Sequence, residues 1–337
     1  MNEQRKAWTR RDFVDLTLAG AAGLLGLHLE PVVAEASPET KTLTILKRSI
    51  LCNAPQFAAD DLLRGEGFEH LRYQPVEFEK VEEALAAGVG DLSMVYAPSA
   101  VARIDAGDAI TLVAGVHSGC VEVIGNDRVR TVRDLKGKTI AVNALGKTIY
   151  AFLASILASV GVDPARDVTW VARPVAEWEQ LFVDGRIDAF LATPPLAQQL
   201  RAKRIGRVIL NTTTDRPWSQ YFCCFVAANR EFIRKYPNAT KRAVRAILKA
   251  SNLCAAEPEK VARSLVDRGF TPRYDYALQA LNELPFGKWR EYDPTDTVRF
   301  YALRLHEAGM IKSTPQKLIA QGTDWRFLNE VKKELKT

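Results

Sequence analysis

From residue 42 to about residue 200 the apolar positions keep switching between two periods, and the switches come in a regular order. Residues 42–48 alternate as a half-buried strand does, 56–65 repeat at helical spacing, 70–76 alternate again, 81–87 are helical and 92–97 form a short apolar run. This order predicts a βαβαβ unit with parallel strands, because each crossover is a helix. The order then returns, with strands over 139–144, 167–172 and 189–193 and helices over 148–160 and 177–183. From about residue 229 the pattern is helical to the end, over 239–256, 258–267, 274–284, 295–308 and 324–335, with Pro258, Gly269, Pro285, Gly287 and Pro294 as breakers.

The two units align at an offset of 97 residues. Tyr73 falls on Trp170, Leu85 on Phe182, Gly88 on Gly185, Asp91 on Asp188, Pro98 on Pro195 and Ala100 on Ala197. Each Gly suits a helix end that needs positive φ, and each Pro sits just past a strand, where its missing N–H harms no ladder. The fold class expected is therefore α/β, with two lobes each built on a βαβαβ-based, mostly parallel sheet and a C-terminal helical tail packed on the first. Lobe 1 is assigned 42–125 plus 226–337 and lobe 2 126–225, with chain crossings over 120–125 and 221–226 that would serve as the hinge. Ligands of open parallel sheets bind beyond the carboxyl ends of the strands. The loops 49–56, 96–98, 117–119, 145–148 and 193–195 are thus expected to line one cleft.

The first residues read as an address. Arg10-Arg11-Asp12-Phe13 is a twin-arginine pattern, an Ala- and Gly-rich apolar run follows, and Ala34-Glu35-Ala36 is a small-x-small cleavage site, so 1–36 are expected to be a removed leader and the protein periplasmic. Lys and Arg number 46 against 40 Asp and Glu, a scattered excess that suits an anionic ligand weakly and shows no nucleic-acid footprint. The five cysteines, Cys52, Cys120, Cys223, Cys224 and Cys254, lack the regular spacing of a disulfide framework. Free buried thiols are expected, with one bridge open. No His/Cys/Asp spacing fits a metal site, so neither metal nor cofactor is expected.

Candidate ligand contacts come from the strand-end loops and the second crossing. Gly146, Lys147 and Thr148 lie between a strand and a helix, where unpaired N–H groups and the helix dipole favour an anion; an ordinary helix cap is the plainer account. Tyr96, Trp218 and Tyr221 are candidate aromatic walls for an organic body, although such residues are more often core. His117 is placed on the cleft floor, against the commoner role of a local backbone partner. Ser49, Cys52, Gln56, Pro98 and Pro194 complete the set from the loops. No catalytic fingerprint is present: Gly88-Val-Gly90 has Ser93 where a dinucleotide loop needs a third Gly.

At this point the chain resembles a known family, the nitrate, sulfonate and taurine type of ABC-importer binding proteins, which also includes binders of thiamine precursors. The residues that carry the resemblance are Thr111-Leu-Val-Ala-Gly-Val-His117-Ser-Gly-Cys120, Thr131-Val-Arg-Asp-Leu-Lys-Gly-Lys-Thr-Ile-Ala-Val142, Gly161-Val-Asp-Pro164 and Gly185-Arg-Ile-Asp188. The resemblance implies two α/β lobes that close on a ligand by hinge motion and then dock on a membrane permease; the repeat joined by two crossings predicts a monomer, and the aromatic candidates favour a small organic ligand. Cys223-Cys224 between two Phe faintly resembles the Cys-rich segment of fungal thiamine-pyrimidine synthases, so an enzyme on the same fold is the alternative. A ligand sensor for a membrane receptor is a third.

Overall fold

The computed structural model describes Glu35, residues 37–48 and residues 50–335. The leader expectation, apart from Glu35, and the candidate Ser49 lie outside the described residues. The strands in chain order are β1 (Thr42–Lys47), β2 (His70–Pro75), β3 (Leu92–Tyr96), β4 (Ile110–Ser118), β5 (Glu122–Gly125), β6 (Thr139–Val142), β7 (Thr169–Ala172), β8 (Ala189–Ala192), β9 (Arg207–Asn211) and β10 (Phe222–Asn229). They form two five-stranded sheets, ordered β2-β1-β3-β10-β4 and β7-β6-β8-β5-β9. In the first, β1 runs parallel to β2 and β3, and β10 lies antiparallel to β3 and β4. In the second, β6 is parallel to β7 and β8, and β5 is antiparallel to β8 and β9. The expected α/β class holds, and each sheet is mixed rather than purely parallel.

The crossings differ from expectation by a few residues. Residues 122–125 are a strand of the second sheet and residues 222–225 open a strand of the first, so the chain passes between sheets at 119–121 and again at 212–221. The reason is that both apolar stretches are paired on two sides, and a strand flanked on both edges and both faces reads as a continuous apolar run, just as a buried connection does.

The sequence repeat is visible in the pairing. Ile45 on β1 pairs with Tyr73 and with Leu92; Ile140 on β6 pairs with Trp170 and with Ala189. From Tyr73 onward the offset is 97, but for the first strand of each unit it is 95, so the second unit carries two extra residues between its first two strands. Asp91 and Asp188 play one role in the two sheets: the carboxylate of each accepts from a backbone N–H of the first strand, Thr44 at 2.6 Å and Thr139 at 3.0 Å. Gly88 and Gly185 have φ of 74° and 70°, the left-handed conformation expected after the preceding helix.

Helices α1 (Ala54–Ala58), α2 (Asp60–Gly65), α3 (Val81–Ala86) and α4 (Ala97–Asp105) belong to the first unit; α5 (Thr148–Ser159), α6 (Val175–Val183) and α7 (Leu196–Lys203) belong to the second. The tail comprises α8 (Arg230–Lys235), α9 (Pro237–Ala256), α10 (Pro258–Asp267), α11 (Tyr274–Glu283), α12 (Pro294–Glu307), α13 (Pro315–Gly322) and α14 (Arg326–Glu334). Proline opens several of these at a position needing no N–H, and Asn229, Asp293 and Thr314 side chains accept from first-turn N–H groups of α8, α12 and α13. The tail buries its apolar faces on the first sheet, as expected: α9, α13 and α14 pack against β4, and Asp324 N–H donates to Leu112 C=O at 2.9 Å. It also reaches the second unit, because α12 packs on α5. That is why α5 is apolar nearly all round, with Ile149, Phe152, Leu153, Ile156 and Leu157 all buried, each worth about 1.5–3 kcal/mol of transfer free energy.

Candidate functional site

The carboxyl-end loops of the two sheets meet. Leu51 N–H, just past β1, donates to Pro194 C=O, just past β8, at 3.2 Å. Tyr96 at the end of β3 meets the ring of Phe152 on α5 edge-on, with centroids 5.9 Å apart. The Glu79 carboxylate, in the turn after β2, accepts from Thr148 N–H at the start of α5 at 2.5 Å, and Lys147 pairs with Glu83.

In this structure the loop over residues 146–148 meets carboxylates of the protein itself. The anion at the start of α5 is the protein's own Glu79, and Lys147 is engaged by Glu83 on α3. The loop borders a cavity of about 20 Å³ that Glu79, Glu82 and Glu83 also line, space for roughly one water. Gly146 is exposed with φ of 69°, and a Cβ there would meet nothing within 4 Å, so this Gly serves the turn rather than a close approach.

The aromatic expectation divides. Trp218 packs edge-on against Phe300 of α12, and Tyr221 stacks on the same ring at 4.0 Å, so both belong to the packing of the tail. Tyr96 stays at the meeting of the two sheets, fully buried. Gln56 braces the first sheet: its side chain donates to Leu46 C=O at 3.0 Å and accepts from Met94 N–H at 2.8 Å. His117 is buried, with Nε2 3.1 Å from Cys52 C=O and Nδ1 3.3 Å from the carbonyls of Ser118 and Gly119. Burial holds its pKa below the usual value, against those backbone bonds. It acts as a local backbone partner that fixes the Cys52 turn. Pro98 is buried in the first turn of α4, and Pro194 is buried at the contact with Leu51.

The sequence reading missed the residue with the clearest unmet need. Arg48, the first residue after β1, is 2% exposed, and of its guanidinium only Nη2 is engaged, donating to Met94 C=O at 2.9 Å. Nε and Nη1 have no partner. The guanidinium carbon lies 5.1 Å from the ring centre of Phe78 and 5.3 Å from that of Tyr96. Four more residues of these loops also hold buried polar atoms without partners: Asn53 (Nδ2 and Oδ1), Glu79 (Oε1), Ser118 (Oγ) and Asn143 (Oδ1). Buried polar groups are nearly always hydrogen-bonded, and leaving one unmet costs about 1–3 kcal/mol. All five residues lie at or just beyond strand ends, in both sheets. Burial also raises Glu79, against the Thr148 and Asn143 bonds that favour its charged form.

Of the five cysteines, three are free and buried, and the one bridge left open is present. Cys120 and Cys223 are bridged, with Cα atoms 6.4 Å apart, joining the first crossing to the start of β10. Cys52, Cys224 and Cys254 are free and buried. The sulfurs of Cys52, Cys120 and Cys224 lie within 4.8 Å of one another, and Cys52 Sγ is 3.1 Å from Tyr96 Oη.

Two mixed α/β sheets whose strand-end loops face each other, joined by two crossings, define the periplasmic-binding-protein fold. Solved structures agree. A nitrate-binding periplasmic protein of Synechocystis PCC 6803 superposes with a TM-score of 0.72 at 14% identity, over 89% of this chain and 90% of that one. A protein of Bordetella bronchiseptica RB50 gives 0.71 at 17% identity, over 90% of this chain and 100% of that one. The alkanesulfonate-binding protein of Xanthomonas axonopodis pv. citri, solved with MOPS bound, gives 0.66 at 19% identity, over 85% and 99%. No curated protein matches the chain in sequence at a significant level. The chain belongs to the NMT1-like family, whose model matches residues 81–266, more than half of it. Among the described residues, no helix is long and apolar enough to cross a membrane.

Proposed function

We propose that this chain is the monomeric, exported solute-capturing component of an ABC importer, closing two lobes on a small organic molecule that carries a negative group. The observation that carries the reading is Arg48, a buried guanidinium with two unpaired donors at the carboxyl end of the first sheet. A planar fork of this kind matches a carboxylate, sulfonate or phosphate through two parallel bonds. Phe78 and Tyr96 flank it, so the molecule has an apolar or planar body for the rings to cover. The structural neighbours named for nitrate and alkanesulfonate binding support an anion on this fold. Each lobe is one of the two sheets with its helices, and residues 119–121 and 212–221 form the hinge. The closed lobes would then dock on a permease.

A thermal-shift screen of sulfonates, carboxylates, aromatic acids, pyrimidines and flavins tests the reading. A ligand at a hundred times its dissociation constant stabilises by about 2.7 kcal/mol. Small-angle scattering with that ligand is expected to show contraction, since a ligand drives closure only through contacts better made in the closed state. An unchanged profile at saturation removes the hinge, and a screen in which only uncharged compounds stabilise removes the anion.

A further inference from the structure

The four sulfurs near the hinge make up a chemistry that solute capture does not use. Cys52 sits in the turn after β1, fully buried, beside Tyr96 Oη and within 4.8 Å of both the Cys224 thiol and the Cys120 half of the disulfide. Cys224 follows Cys223 on β10, and successive strand side chains point to opposite faces. Cys224 pairs with Tyr96 across the sheet, which sets its sulfur beside Cys52. Cys254, on α9, is outside the group.

We propose that Cys52 is an exchanging thiol, which attacks Cys120 Sγ and converts the Cys120–Cys223 bridge into a Cys52–Cys120 bridge. Exchange runs through a thiolate attacking a disulfide sulfur. The Cys52–Cys120 bond forms as the Cys120–Cys223 bond breaks, the electron pair leaves on Cys223 Sγ, and the proton given up by Cys52 ends on Cys223. No outside oxidant or reductant is consumed. The surroundings of Cys52 favour the attacking form. Burial opposes ionisation, yet hydrogen bonds from Cys224 and Tyr96, with the Arg48 charge close by, outweigh it and hold Cys52 below the ordinary thiol value. Burial pushes Cys224 the other way, so it stays protonated as a donor. The two bridges have different mechanical meaning. The first ties one crossing to β10, and the second ties that crossing to the loop after β1.

The test is disulfide mapping by mass spectrometry of non-reduced, alkylated full-length protein. Wild type is expected to contain both the 120–223 and the 52–120 linked peptides, and Cys52→Ser only the former. Cys223→Ser, oxidised with glutathione disulfide, is expected to link Cys52 to Cys120. Wild type holding 120–223 alone, together with an alkylated Cys120 in Cys223→Ser, overturns the proposal; so does a 120–224 link in its place. Should Cys223→Ser fail to fold, the comparison of wild type with Cys52→Ser decides alone. Cys254→Ser, expected to map as wild type does, controls for scrambling.

Discussion

Replacing Arg48 with methionine separates a residue kept for binding from one kept for stability, because the first role predicts a loss of affinity at nearly unchanged stability and the second the reverse. Methionine keeps the apolar stem and removes the charge. The two unpaired donors, Nε and Nη1, each cost the folded protein about 1–3 kcal/mol, which the substitution returns. Against that stand the bond from Nη2 to Met94 C=O, worth about 1 kcal/mol, and the contacts with Phe78 and Tyr96, worth about 0.5–2 kcal/mol each. At mid-range values about 4 kcal/mol is returned against about 3.5 kcal/mol lost, so the ligand-free variant is expected to match or slightly exceed wild type, with an unfolding midpoint within about 2 °C for a chain of this size. Affinity for an anionic ligand falls by about 1.5–3 kcal/mol, roughly 10- to 150-fold. Calorimetric unfolding without ligand and isothermal titration with it supply the two readings. A midpoint lowered by several degrees with unchanged affinity would refute the reasoning and make Arg48 a structural cation.

Burial raises Glu79 above its ordinary value of 4.5, so the folded protein takes up this proton before the unfolded chain does and gains stability as pH falls toward 4.5. Glu79→Gln is therefore expected to be more stable than wild type at neutral pH, with an advantage that shrinks on acidification; a difference independent of pH in paired melting curves contradicts this. Lys147→Ala breaks a half-exposed pair with Glu83 and is expected to cost no more than about 1 kcal/mol and to leave ligand affinity within about threefold; a larger loss in titration returns Lys147 to the ligand. Gly119→Ala would place a Cβ 2.3 Å from Thr213 Cα and 2.4 Å from Thr212 C=O at the crossing, and is expected to destabilise by about 2–4 kcal/mol in denaturant unfolding; a wild-type curve would show that the crossings yield freely.

The fold was legible because both units obey local rules. The strand and helix periods, the paired Gly88 and Gly185, and the paired Asp91 and Asp188 are short-range signals, and the structure uses each of them twice. The site was legible only as a set of loops. The strand prediction runs through Arg48, one residue past β1, so the loop begins at Ser49 and Arg48 is counted as sheet. Even so, a lone Arg is no motif; its significance lies in two guanidinium nitrogens left without a partner, which only three-dimensional placement shows. Trp218 and Tyr221 show the converse. Their partner, Phe300, lies about 80 residues further along the chain, and no local pattern announces it. The loop over 146–148 has the composition of an anion site and does receive an anion, but Glu79 from the other sheet supplies it.

The position of β10 has a consequence for how the protein is made. Strand β4 joins the first sheet only through β10, which lies between it and β3. A nascent chain that has emerged as far as residue 221 already holds every strand of the second sheet, β5 to β9, while the first sheet is still two unconnected pieces. The sheet that begins first in the sequence is thus completed last, and its apolar strand edges stay open until residues 222–229 arrive to close them. Ribosome-bound intermediates released just before and just after that point should differ sharply in protease resistance. The stretch of translation between β4 and β10 is thus an interval in which the apolar edges of β3 and β4 both lie unpaired.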